Sequence, residues 1–333
     1  MSDVTIFAPS PVVTITIEDA GGTPDVHVHA GGQGVWQARM LRRLGVRVTL
    51  CCVLTGELGR ITRGILDDDS IDIAAVERAG RGAAYVHDRR GGERTEIVES
   101  DGDGIARHDL DELYSMTLRE GLRSRLVILS GPQGAGVLPA ETYRRLAVDI
   151  RETGGRVIVD LAGERLSAAL AGGVDVLKVS DKELRDDGLL DGDGMDAAIA
   201  VVRHLRERGA EAVILSRGGE PALLIDRDGV ASVQPPRLAT SDTRGAGDSF
   251  TAGLAAGLAR GQPVRRAATL AAAAGALNVT RHGLGTGDPE AIEALREQVL
   301  VRSLDDDAGS GGEAGGEHVT PDGLAALADE ADS

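Results

Sequence analysis

Hydrophobic and polar positions follow two rhythms along this chain. From about residue 33 onward, short apolar runs alternate with amphipathic stretches. VRVTLCCVL after Gly45, RLVILS at 125–130, RVIVD at 156–160, VDVLKVS at 174–180 and EAVILS at 211–216 read as strands buried on both faces. Between them QGVWQARMLRRLG, PAETYRRLAVDIRETGG and GMDAAIAVVRHLRERGA repeat apolar positions at helical spacing. This βαβα order predicts an α/β fold, a mostly parallel sheet with helices on both faces.

Two segments keep period two instead. SPVVTITIEDAGGTPDVHVHA at 10–30 and GAAYVHDRRGGERTEIVES at 82–100 alternate apolar and polar residues. Alternation implies a sheet with one wet face. Residues 10–32 and 82–100 are therefore expected to form a small β lid beside the main sheet. The composition changes at Ser303, where an acidic, Gly-rich stretch begins. The main domain is placed at 1–302, and 303–333 is expected to be a disordered tail with a short helix at 321–329.

Composition sharpens this picture. Of 333 residues, 42% are hydrophobic but only 2% aromatic, so the core must be built from Ala, Val, Leu and Ile. The net charge of −17 repels nucleic acid and anionic lipid, and neither is expected as a partner. Cys51 and Cys52 are adjacent inside an apolar strand and lack CxxC spacing. They read as small core residues of a reducing compartment. The opening MSDVTIFAPS has neither the basic head nor the apolar run of an export signal. No apolar run approaches the ~18 residues of a membrane span. A cytoplasmic location is expected.

The candidate chemistry centres on SDTRGAGDSFTAGLAAGLARG, residues 241–261. A helix that starts near Ala246 leaves backbone N–H groups unpaired in its first turn, and its dipole adds positive potential there. Gly245, Ala246 and Gly247 let a phosphate come close. Asp248 follows at once. A carboxylate beside a bound polyphosphate needs separate work, and the useful work is to take a proton from an attacking hydroxyl. Asp242 and Thr243 can orient the loop or a cation, and Arg244 can reach phosphate oxygens or solvent. A plain helix start would also give Gly-x-Gly followed by Asp. The full string, followed by small residues that let the helix pack tightly on the sheet, is more specific.

At this point the chain resembles the PfkB/ribokinase carbohydrate kinases. DTRGAGDSFTAGL is similar to their C-terminal signature, D-T-x-G-A-G-D, and AGGQGVWQARMLRRLG at 30–45 to their N-terminal one. ILSGPQGAGVLPAETYRRL, VIVDLAGERLSAAL and VLKVSDKEL are similar to stretches of the 1-phosphofructokinase and tagatose-6-phosphate kinase branch. The resemblance spans about residues 4–298 and implies a ribokinase-like three-layer sandwich with a small β lid. It implies an ATP-dependent phosphotransferase acting on a hydroxyl of a sugar or sugar phosphate, with Mg²⁺ and a monovalent cation near Asp242.

Roles follow residue by residue from the resemblance. Asp248 would be the catalytic base, with the N–H groups of Gly245, Ala246 and Gly247 as the anion hole. Lys178, Ser216, Gly218 and Thr243 would lie at the nucleotide, and Asn278 at the adenine pocket. Glu183 would support the Mg²⁺ through water, and Asp242 would belong to the same cation environment. Gly31 and Gly32 would approach the sugar, and Arg94 would bind a phosphate. Pairing of two chains through the lid is a further family feature, which the sequence leaves open.

Four positions depart from the pattern: Gln33 stands for Lys, Trp36 for Asn, Ser180 for the Asn of N-x-x-E, and Thr14 for a sugar-binding Asp. The phosphoryl-transfer half looks intact and the sugar half altered. Gln33 removes a point charge, which weakens a second-phosphate site. Trp36 either stacks on a sugar face or fills the core. Asp25 is a candidate for a sugar hydroxyl. His27 and His29 share one strand face, yet lack a third metal ligand at hand. LDDDS at 66–70 and LDGDGMD at 190–196 read as solvated turns, since neither has a complete Ca²⁺ loop pattern. No Walker A string is present, and the glycines at 31, 32 and 34 follow a lid strand rather than open a dinucleotide-binding unit. Two rivals stand beside the sugar-phosphate kinase: a same-fold kinase of an unphosphorylated sugar or nucleoside, and a silent sugar- or nucleotide-binding protein.

Overall fold

Neighbouring residues of each central strand point into different cores. Val4 and Ile6 face one cluster and Phe7 the other; Leu50 and Cys52 face one, Cys51 and Val53 the other. Strands buried on both faces need helices on both, and the computed structural model has them. It describes residues 2–305 except 93, 133, 135, 193, 240–242 and 281–286.

The strands are β1 (Val4–Phe7), β2 (Val12–Asp19), β3 (Pro24–Gly31), β4 (Val48–Thr55), β5 (Asp72–Arg78), β6 (Ala83–Asp88) and β7 (Thr95–Ser100). They continue with β8 (Leu126–Ser130), β9 (Val157–Asp160), β10 (Val174–Ser180), β11 (Ala210–Arg217), β12 (Glu220–Asp226), β13 (Gly229–Gln234) and β14 (Leu300–Ser303). Ten form one sheet in the order β14-β13-β12-β11-β10-β9-β8-β1-β4-β5. From β5 to β11 the pairing is parallel. From β11 to β14 it is antiparallel.

One face is covered by α1 (Gln33–Arg43), α2 (Gly56–Asp68), α8 (Ala246–Ala259), α9 (Val264–Asn278) and α10 (Pro289–Arg296). The other carries α3 (Arg107–Gly121), α4 (Glu141–Glu152), α5 (Gly163–Gly172), α6 (Asp181–Asp186) and α7 (Met195–Glu207). The result is the expected three-layer sandwich. The expected lid is a separate four-stranded sheet, β3-β2-β6-β7. None of the helices is long and apolar enough to cross a membrane, among the described residues.

The small residues of α8 serve a second helix as well as the sheet, on which Thr251 and Gly247 rest. A Cβ on Gly253 would stand 2.8 Å from Ala271 Cα, and one on Gly257 2.7 Å from Ala267 Cβ, so α8 is pressed against α9. The domain boundary at 302 is too early. Ser303 pairs with Ala231, Leu304 N–H donates to Val230 O at 2.8 Å, and the Asp305 carboxylate accepts from Val230 N–H at 2.6 Å. The antiparallel β12–β14 extension was not foreseen, because its runs lack the helix between strands that marks a parallel unit. The helix expected at 321–329 lies outside the described residues.

Candidate active site

The parallel strands end along one edge. Ser130, Asp160 and Lys178 fall in one register row, and Ser180 sits opposite Ser216. Ligands of open parallel sheets bind beyond these carboxyl ends.

The 245–248 turn lies over this edge. Gly245 caps α8 at φ 69°, a left-handed conformation that glycine adopts without strain. Gly247 lies against Lys178: a Cβ there would be 2.8 Å from the ammonium. Lys178 Nζ donates to Asp160 Oδ1 at 3.1 Å, with both side chains buried. Burial works against the lysine's charge, but Asp160, Glu183 and Asp248 outweigh it and raise its pKa. One cation thus lies beneath the N–H groups of the turn, which strengthens their pull on an anion.

Asp248 sits half-buried in the first turn of α8. Burial first, then the carboxylates of Asp160 and Glu183, push its pKa up to about 7 against the pull of Lys178. A base with a pKa near the working pH transfers protons efficiently.

Ser180, which departs from the family's Asn, keeps the function of a helix cap. Its hydroxyl accepts from Glu183 N–H at 3.2 Å, while Glu183 Oε2 accepts from Ser180 N–H at 2.8 Å and from its hydroxyl at 2.6 Å. This capping box fixes Glu183 at the head of α6. Oε1 is left over. A magnesium ion carried by nucleotide phosphates needs only one or two protein carboxylates, so the residues fit. No group of three or more His, Cys, Asp or Glu that could hold a metal ion occurs among the described residues. Asp242, and the monovalent cation expected beside it, lie outside them.

Ser216 ends in the same edge, its hydroxyl 3.4 Å from Val179 O, and Gly218 makes the β11–β12 turn at φ 58°. Thr243 is exposed just before the anion turn. Asn278 ends α9 beside this turn. It is 1% exposed, its Nδ2 donates to Arg244 O at 2.6 Å, and its Oδ1 accepts from Ser249 Oγ at 3.0 Å. Its amide holds the 244–249 turn in place.

On the other side of Asp248 a cavity of 1080 Å³ opens between α1 and the lid. Gln33, Trp36 and Arg39 line it at helical spacing, as do Gly32, Gly245 and Asp248. Thr14, Thr16, His27, His29, Tyr85 and His87 roof it from the lid. Gly31 lies behind, where a Cβ would be 2.7 Å from Thr14 Oγ1. Gln33 Oε1 accepts from Gly131 N–H at 2.8 Å, which ties α1 to the end of β8. Trp36 takes the cavity-lining alternative rather than the core. Arg94 also lines the cavity, its guanidinium 4.3 Å above the Tyr85 ring. Asp25 does not. It is exposed at the far end of the hairpin, with Oδ2 3.1 Å from His27 Nε2. Its register partner Glu18 lines the cavity, whereas Asp25 turns to His27.

Sequence reasoning missed four side chains that bind the halves together. Asp160 Oδ2 accepts from Gln37 Nε2 at 3.1 Å and from Thr251 Oγ1 at 2.7 Å, and Ser130 Oγ donates to Gln37 Oε1 at 2.5 Å. The acid that ends VIVD and the lysine inside VLKV were the signal, since buried charges need partners. His87 was missed too. It is 4% exposed, with Nε2 3.1 Å from Thr16 Oγ1, and burial, then Arg94 and Arg89, lower its pKa to about 4.

Known proteins resemble this chain in sequence and in fold. The sequence profile of the pfkB family carbohydrate kinases matches residues 12–291. The 1-phosphofructokinase of Bacillus subtilis strain 168 is 28% identical over 278 residues, covering 83% of this chain and 89% of that protein. The ATP-dependent 6-phosphofructokinase isozyme 2 of Escherichia coli K12 is 29% identical over 259 residues, covering 76% and 82%. In fold, the chain is similar to phosphofructokinase-2 from Escherichia coli in complex with potassium, with a TM-score of 0.77 at 24% identity, covering 90% of this chain and 99% of that one.

Proposed function

The chain belongs to the pfkB family of carbohydrate kinases, and from that premise we propose that it transfers the γ-phosphoryl group of ATP to a hydroxyl of a sugar phosphate. The observation that carries the phosphorylated acceptor is the cavity's charge. Arg39, Arg42, Arg43, Arg89, Arg94 and Arg244 line it, against Glu18, Asp68, Asp69, Glu99 and Asp248. The whole chain has 53 acids to 36 bases, so this wall inverts the balance of the surface. Relatives named as phosphofructokinases support the same reading.

In this reading the acceptor lies under the lid with its reacting hydroxyl at Asp248. The carboxylate takes the hydroxyl proton as the oxygen attacks the γ-phosphorus. Negative charge that develops on the transferring group meets the N–H groups of Gly245, Ala246 and Gly247 and the ammonium of Lys178. Mg²⁺, when bound with ATP, supplies charge neutralisation between the phosphates, and Glu183 would hold its water shell. The lid excludes water and so limits ATP hydrolysis.

A neutral acceptor is the second reading. Gln33 favours it, since an uncharged amide tied to Gly131 replaces a cation. The arginine wall opposes it, and the intact base and turn oppose a silent binder. ADP release with Mg·ATP and a panel of fructose 1-phosphate, fructose 6-phosphate, tagatose 6-phosphate, free hexoses, ribose and nucleosides separates the three, with Asp248→Asn as control. Turnover on phosphosugars alone supports the proposal; turnover on neutral acceptors alone, or none, refutes it.

A homodimer through the lid belongs to this proposal. The face away from the cavity is apolar: Ile15, Val28, Val86 and Val98 share one register row and Ile17 and Val26 the next. Val26, Val28 and Val98 are 57%, 44% and 48% exposed. A second copy laid on this sheet would cover them.

A further inference from the structure

Trp36 is the only tryptophan of the chain, and it is held as a rigid surface of the cavity. Its edge lies close against Gly31, where a Cβ would stand 3.2 Å from Cζ2. The Arg39 guanidinium sits 4.8 Å from the ring centroid. Arg39 is itself fixed, since Nε donates to Asp69 Oδ2 at 2.6 Å and Nη1 to Ala30 O at 2.8 Å. The indole is therefore packed on its edge with a cation over one face, and it lines the cavity.

An indole offers sugar hydroxyls a single donor. Its main contribution is flat area and a π face. The C–H bonds on one side of a closed sugar ring lie flat against such a face. An open-chain polyol phosphate turns hydroxyls in every direction and loses more rotor freedom on binding. Loss of polar recognition at this wall thus disfavours open chains more than rings.

We propose that Trp36 is a specificity-determining wall that selects acceptors in closed-ring form, with the ring's carbon face on the indole and the phosphate among the cavity's arginines. This rests on the sugar-phosphate reading above. That reading requires only charge, whereas the wall adds a requirement of shape.

The single tryptophan reports its own occupancy. Intrinsic fluorescence of the full chain, titrated with fructose 6-phosphate and fructose 1-phosphate, should change saturably. D-glucitol 6-phosphate, the open-chain control, should bind roughly tenfold more weakly. Trp36→Ala should raise KM for the ring acceptor roughly tenfold and erase the preference for rings, while Trp36→Phe restores most of it. Equal affinity of ring and open-chain phosphates for the wild-type chain would overturn the proposal even if a variant failed to fold. So would an unchanged preference in Trp36→Ala. Saturable fluorescence on rings without ADP release from any sugar phosphate would instead overturn the acceptor reading and leave the wall standing.

Discussion

The ammonium of Lys178 lies 2.8 Å from the position a Cβ on Gly247 would take. A methyl there would have to displace the buried ammonium, which is held by Asp160. Gly247→Ala should shift the lysine by a fraction of an ångström and lower kcat by about tenfold, since a displacement near 1 Å costs about 100-fold. Steady-state rates check this; turnover within threefold of wild type would show that the contact does not matter.

Lys178→Met should destabilise the fold by about 3–5 kcal/mol, because it leaves Asp160 buried without its cation. The double variant Lys178→Met, Asp160→Asn should recover part of that loss, since an amide can still bond to Gln37 and Thr251. Urea unfolding of the three proteins measures both steps.

The raised pKa of Asp248, about 7, makes a signed prediction. An acid that holds its proton more tightly when folded loses stability as pH rises from its unfolded pKa near 4 to its folded one near 7. Asp248→Asn should therefore melt higher than wild type above pH 7, with the gap closing toward pH 4. In the active chain kcat/KM should rise with pH through a midpoint near 7. The variant should lose about 10²–10⁴-fold in kcat. A profile flat between pH 5 and 8 would remove Asp248 from the role of base.

Ser180→Ala should cost about 1 kcal/mol, the value of a lost helix cap, and free Glu183 from its fixed position. Ser180→Asn should cost little, because Asn caps as well as Ser. Thermal unfolding orders the two. If Ser180→Asn proved the more damaging, the serine would be needed for more than its cap.

On the outer face of the lid, Val28→Asp should weaken self-association. Sedimentation velocity would show a dimer for the wild type and a shift toward monomer for the variant. A wild-type chain that stays monomeric at tens of micromolar removes the dimer from the proposal.

Much of this site could be read from the chain. The anion turn and Asp248 announce themselves, because glycines, a helix start and an acid are adjacent in sequence. Strands β8 to β11 are legible because both their faces are apolar. The Asp160 network was not. Its members come from α1, β8, β9, β10 and α8, and each looks unremarkable inside its own segment. The bonds of Asn278 were hidden for the same reason, since nothing local shows that its amide closes on Arg244 and Ser249. Asp25 misled because alternation gives the face of a strand but not which of two paired residues reaches the cavity.

The Asp160 network also separates what can change from what cannot. Gln37, Ser130, Asp160, Lys178 and Thr251 complete one another's hydrogen bonds, so a substitution at any one strands a buried partner. Thr14, Gln33 and Trp36 contribute no bond to it. A new acceptor preference is therefore reachable through single substitutions on the cavity wall, with the phosphoryl-transfer chemistry inherited unaltered.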